Sequence, residues 1–188
     1  MAYTIKEMAE RIAARRGFSA AGVELAHRRL RALEGRNAFP GSQRRGEGRT
    51  AAFEYDNVGL ACAALYTELE AAGVASAHVA LIGRALFAHD AGTAENKADI
   101  RASFPEVVRR VQAGERWWLE IQRIRVPGVE THHRAVFHFD VPGDGAFFAI
   151  KRQENRPEGA APIAGTVMQT FFQLDTLWAG ILPEQVQG

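Results

Sequence analysis

Apolar residues recur at helical spacing from the start of the chain. Thr4 and Glu7 are spaced as a capping box that starts a helix at Ile5. Ile5, Met8, Ala9 and Ile12 then share one face and Lys6, Glu10 and Arg11 the other, with Gly17 as the stop. Ser19 is placed to cap a second helix running to about Glu34, with Val23, Ala26, Leu30 and Leu33 on its apolar side and Gly35 as its terminator. Asn37 to Phe53, rich in glycine and arginine, breaks the pattern. It predicts a hairpin with extended pieces at Ala38-Phe39 and Thr50 to Phe53. Asp56 can cap a helix that buries Val58, Leu60, Ala61, Leu65 and Leu69 and ends at Gly73. Another helix, broadly apolar, is expected over 76–89, a linker over 90–99 and a third helix from Ile100 to Gln112, with Pro105 in its first turn.

From Trp117 the period changes. WWLEIQRIRV, HHRAVFHFDV and GAFFAIKRQ are rich in aromatic and β-branched residues and are separated by the turns Pro127-Gly128 and Pro142-Gly143, which predicts a three-strand antiparallel meander. After the loop NRPEGAAP, a last helix is expected over 165–181, with Val167, Phe171, Leu174, Leu177 and Trp178 on one face to cover the sheet. The expected class is α+β: two packed helices and a hairpin, further helices, then a three-strand antiparallel sheet with one covering helix. The natural division falls at the linker, with residues 1–90 as one unit and 91–188 as an α+β unit for self-association or sensing.

Charge adds an asymmetry to this layout. Residues 1–53 hold eleven Lys/Arg against five acids, a net +6, so the rest of a chain of net +1 carries −5. A basic end on an acidic body points to a polyanionic partner; the competing explanation is a solvated arginine-rich surface. With 47% hydrophobic and 24% charged residues the composition is that of a globular protein. No apolar run reaches the roughly 18 residues of a membrane span, and the N-terminus has no signal-peptide core. The one cysteine, Cys62, lies in the apolar run LACAALY and excludes an internal disulfide framework. These features together fit a cytoplasmic protein without membrane partners.

The string LRALEGRNAFPG resembles the end of the recognition helix and the entry to the wing in MerR-type regulators, whose pattern is roughly LRYYE followed by LLPP. Leu30, Arg31 and Glu34 match, and Phe39 and Pro40 match in character. RTAAFEYDNVGLACAAL is similar to that family's GYRLYDEEDLERLRLI, where the wing's returning strand enters a helix; Arg49, Phe53, Asp56, Val58 and Leu60 carry this likeness. With TIKEMA near the start, the resemblance spans about 70 residues. Three features depart from the family. ARRGFSAAGVELAHRR is longer by about three turns than the usual spacing, and Ala32 and Leu33 stand where tyrosines are usual. The family's long dimerising coiled coil has no counterpart in sustained heptads here.

The resemblance implies a winged helix-turn-helix that binds double-stranded DNA as a sequence-specific transcriptional regulator; a homodimer is expected through the C-terminal unit. The second helix would read the major groove through Arg28 and Arg31, with Glu24 and His27 beside them. Arg15 and Arg16, ending the first helix, would meet phosphates, and Arg44, Arg45 and Arg49 on the wing would grip the backbone or minor groove. The alternative is a phage or accessory factor whose winged helix grips a protein instead. In the C-terminal half, an aromatic group including Trp117, Trp118, Phe137, Phe148, Phe171 and Trp178 could line a pocket for a small-molecule effector, or form an ordinary core or dimer interface.

Catalytic chemistry has little support. There is no Walker A loop, GxSxG elbow or HExxH motif, so neither an enzyme nor a cofactor is expected. Glu130, His132, His133, His138 and Asp140 invite a metal reading, but six residues of strand separate His132 from His138 by about 20 Å, too far for one ion. No metal site is expected, and the histidines read as polar positions on a half-exposed sheet.

Overall fold

The computed structural model of the chain describes residues 2–39, 43–45, 52–88, 103–124, 132–139 and 166–183. They form helices and small antiparallel sheets: α1 (Ile5–Arg16), α2 (Ala20–Glu34), β1 (Gln43–Arg45), β2 (Ala52–Glu54), α3 (Asn57–Ala71), α4 (Ser76–Ala88), α5 (Phe104–Gln112), β3 (Trp117–Ile124), β4 (His132–Phe139), β5 (Thr166–Gln173) and α6 (Leu174–Trp178). Among them no helix is long and apolar enough to cross a membrane.

The local signals that start helices act as expected. Thr4 and Glu7 form the reciprocal capping box on α1, Ser19 Oγ accepts from Gly22 N at the head of α2, and Asp56 Oδ1 accepts from Val58 N and Gly59 N on α3. Each satisfies backbone donors that a helix start leaves unpaired. Gly17 ends α1 in the left-handed region at φ 67°, a conformation that costs other residues a Cβ clash. Helix α2 ends at Glu34 with Gly35 as its cap, as expected, but without the left-handed turn. Gly35 stays right-handed and Asn37 takes the positive φ of 53°, which its short polar side chain tolerates. Ala38 and Phe39, expected as a wing strand, are buried without strand pairing, and the hairpin is made by Gln43 to Arg45 against Ala52 to Glu54. An antiparallel bridge between Tyr3 and Tyr55 continues that hairpin toward the N-terminus.

Helix α3 occupies the centre. Leu60 to Tyr66 are all buried, with Leu69 one turn on. A helix apolar on every side must be surrounded, and α1, α2, α4, α5 and α6 all pack on it. Its small residues Ala61, Cys62, Ala63 and Ala64 let these neighbours approach closely. Burial pushes the Cys62 thiol well above its ordinary value, so it behaves as a small apolar side chain. From the C-terminal side, Trp178 inserts beside α3, its indole N–H donating to Ala61 O at 3.0 Å, with Phe104 edge-on against it. One continuous apolar cluster therefore runs from Tyr3 to Leu182, drawing on residues from both sides of position 90.

In the C-terminal sheet the first two expected strands pair antiparallel as predicted, and among the described residues the order is β4-β3-β5, all antiparallel, with Trp117 to Ile124 in the middle. The third expected strand, 145–153, lies outside the described residues, as does the 90–99 linker. The third observed strand is Thr166–Gln173, within the segment expected as the covering helix, and only Leu174–Trp178 of that segment is helical. TVMQTFFQ is rich in β-branched and aromatic residues, and the open edge of β3 supplies a partner for its backbone, a tertiary pairing that local periodicity cannot report. Similarly, α5 starts at Phe104, with Ser103 extended before it. A start at Ile100 would have placed Pro105 where the helix needs an N–H donor.

Helices α3 and α4 meet at a point with no spare room. Tyr66 donates its hydroxyl to Ala38 O, and a Cβ on Gly83 would overlap that hydroxyl. Gly83→Ala is expected to destabilise the protein by about 1–3 kcal/mol, and by less in a Tyr66→Phe background where the oxygen is gone. Denaturant unfolding of the four proteins in this cycle measures the difference; equal costs in both backgrounds would place the obstruction elsewhere. For Trp178→Ala we expect a loss of about 3–5 kcal/mol. Because the core is shared, the loss should appear as a lower midpoint for the helical signal of the whole protein, not as the melting of a separate C-terminal unit.

Candidate nucleic-acid interface

One side of α2 is fixed by packing and the other faces solvent. Ala26, Leu30 and Leu33 are buried, while Ala21, Glu24, Leu25, Arg28, Arg29, Arg31 and Ala32 are exposed and His27 is half-buried. At 100° per residue, Glu24, Arg28 and Arg31 fall on the side opposite the buried stripe. The helix thus presents its cationic face outward because its opposite stripe is locked against α1, α3 and α4.

The end of this face is held by a small polar network. Arg31 Nη1 donates to Glu34 Oε2 at 2.7 Å, and the Tyr55 hydroxyl donates to Glu34 Oε1 at 2.7 Å. Tyr55 follows directly on β2, so this bond ties the hairpin base to the end of α2. Phe39 packs between Tyr55 and Tyr66, with ring centroids 5.3 and 5.2 Å away. Burial, reinforced by the bond to Glu34, pushes the Tyr55 phenol far above its ordinary value, which keeps its proton in place to donate.

The arginines divide by what they already touch. Arg28 and Arg36 are exposed and have no ion pair among the described residues. Arg29 stands 3.7 Å from Glu70, and Arg31 is shared with Glu34. Arg16 is partly buried in an ion pair with Glu68, and burial beside Arg15 lowers its pKa from the ordinary guanidinium value. Arg15 donates its Nε to Ala179 O at 2.8 Å, and Arg11 donates to Ile181 O. Arg15 and Arg16 border a cleft of about 410 Å³ whose other walls are Glu68, Phe172, Gln173, Thr176 and Leu177. The structure therefore groups Glu24, Arg28 and Arg31 on one surface and turns Arg15 and Arg16 at least partly toward the C-terminal segment.

In the hairpin, Arg44 is in register with Phe53 and Arg45 with Ala52; Arg49 lies outside the described residues, as do Glu130 and Asp140. Among the described residues no cluster of three or more His, Cys, Asp or Glu is arranged to hold a metal. Two residues on the α2 surface escaped the sequence reading. Leu25 is 41% exposed amid the charged face, and Phe18, in the turn before α2, is 40% exposed. The signal for Leu25 was available: it falls off the stripe of Ala26, Leu30 and Leu33.

Replacing Tyr55 by Phe removes one partner of a partly buried carboxylate. It should cost about 1–2 kcal/mol in denaturant unfolding and loosen Arg31, seen as loss of a distinct guanidinium NMR signal. The same bond sets a pH dependence. Stability contributed by the raised Tyr55 pKa is fully present below the unfolded tyrosine value of 10.0 and declines as pH rises from there toward the folded value. Tyr55→Phe should flatten this alkaline decline, and an unchanged slope would remove Tyr55 as its source.

The chain matches no family model and no curated protein.

Proposed function

We propose that the protein is a sequence-specific double-stranded-DNA-binding regulator, with α1 and α2 as a helix-turn-helix, the β1–β2 hairpin as its wing and α2 as the helix that enters the major groove. The observation that carries this reading is the outward face of α2: a rigidly backed helix whose Arg28 is exposed and unpaired among the described residues, within a segment of net +6. Three further features support it. The turn between the helices is short, running through Gly17, Phe18 and Ser19. The hairpin base is bonded through Tyr55 to the end of α2, so helix and wing would dock as one piece. The resemblance to MerR-type regulators covers the same segments.

In this reading Arg28 and Arg31 contact base edges, arginine to guanine being the commonest specific pair, and Glu24 can accept from cytosine N4. Arg44, Arg45 and Arg49 hold the flanking phosphates. Arg15, with only its Nε engaged among the described residues, keeps two nitrogens for a phosphate, whereas Arg16 would first have to leave Glu68. The C-terminal sheet and its aromatic side chains serve self-association as a homodimer or the sensing of a small molecule.

Fluorescence anisotropy on duplex DNA at two salt concentrations tests the proposal. Binding should weaken steeply with salt as phosphate counterions are released. Arg28→Ala with Arg31→Ala should erase most preference among sequences, by about 1–3 kcal/mol per lost base contact. Arg44→Ala with Arg45→Ala should weaken all duplexes alike and reduce the salt slope by about 1 per lost phosphate contact. Absence of binding at low salt by the folded protein would overturn the DNA reading, and identical behaviour of the two variant pairs would overturn the division between helix and wing.

A further inference from the structure

The geometry of α2 points to Leu25 as a reader of thymine methyl groups, an inference that rests on the DNA-binding reading above. Leu25 is 41% exposed, next in sequence to Glu24, three residues before Arg28 and four before Arg29, all of them on the solvent side of the helix. Ala21, one turn earlier, is exposed on the same side. The exposed apolar residues here, Phe18, Ala21 and Leu25, are few and are bordered by Glu24, Arg28 and Arg29, unlike the broad contiguous apolar area that marks a protein-docking surface. The surrounding charge instead complements a polyanion.

In the major groove this placement has a specific consequence. The bases present hydrogen-bond donors and acceptors there, and the apolar feature they offer is the C5-methyl of thymine. A leucine carried into the groove beside Arg28 must cover either that methyl or a polar edge whose water it displaces without replacement. The first is favourable and the second is not, so Leu25 selects A·T pairs next to the guanine contacted by Arg28. Ala21 can extend the same apolar contact by one turn. Residues toward the N-terminus of a recognition helix are those that reach base edges in helix-turn-helix complexes, and Ala21 and Leu25 are the second and sixth of the fifteen residues of α2.

The test uses the full-length protein and a duplex selected from a randomised pool. Each thymine of the selected site is replaced in turn by deoxyuridine, which removes only the methyl group. At least one replacement should weaken binding about fourfold, the change expected for one buried methyl. Leu25→Ala should weaken binding to the thymine duplex by a similar or larger factor and no longer respond to that replacement, whereas Leu25→Met should retain the response. Since Leu25 is exposed, the variants should melt like the parent protein. A site at which parent protein and Leu25→Ala respond equally, or in which no thymine responds, overturns the inference while leaving DNA binding intact. If Leu25→Ala keeps both affinity and response but changes the sedimentation of the protein, Leu25 serves a protein contact and the inference is also overturned. Failure to bind any duplex at low salt removes the DNA reading itself.

Discussion

Helix α3 can be surrounded on all sides only because its middle turns are built from Ala61, Cys62, Ala63 and Ala64, with Leu60, Leu65, Tyr66 and Leu69 filling the gaps between neighbours. Small side chains bring the packed helices close, and close packing transmits position because interiors at crystal-like density have little slack. The α2 surface inherits its orientation from this centre. Leu30 and Leu33 belong to the same cluster as α3, and Tyr66 reaches out of α3 to bond Ala38 O just beyond the end of α2. Phe39 lies between Tyr66 and Tyr55, and Tyr55 donates to Glu34. An unbroken series of contacts thus leads from the buried helix to the last turn of the cationic one.

The same centre joins the two ends of the chain. Trp178 rests on Ala61, and the segment after it accepts hydrogen bonds from Arg11 and Arg15 of α1 at Ile181 O and Ala179 O. Those carbonyls are better served by guanidinium donors than by weak solvation at the edge of a packed core. As a result α1, which backs α2, is held by residues more than 160 positions away in sequence.

What could be read from the chain was what short-range chemistry decides. The Thr4–Glu7 box, the Ser19 and Asp56 caps and the left-handed Gly17 each depend on a few neighbouring residues, and each appears where its pattern places it. The hidden features depend on distant partners. Thr166 to Gln173 carries a plausible helical stripe but becomes a strand because β3 presents an open edge to it. Ala38 and Phe39 look like the start of a hairpin strand, yet Tyr55 and Tyr66 draw them into the core. Gly35 does end α2, but the left-handed position falls two residues later at Asn37, where the backbone of Ala38 returns to Leu33 O.

The candidate site shows the same division within one residue type. In sequence Arg15, Arg16, Arg28, Arg29 and Arg31 are equivalent cations on two amphipathic helices. The fold separates them by desolvation and partnership: Arg16 is half-buried with Glu68, Arg29 lies near Glu70, Arg31 is oriented by Glu34, and Arg28 is left in solvent. A cation already paired must give up that pair to meet a phosphate or a base, so its net contribution to binding shrinks by what it loses. Arg28 has no such pair among the described residues, whereas Arg31 is bound to Glu34, a carboxylate it shares with Tyr55. The availability of each arginine is therefore set by the acids that the fold brings beside it, which net charge alone does not report.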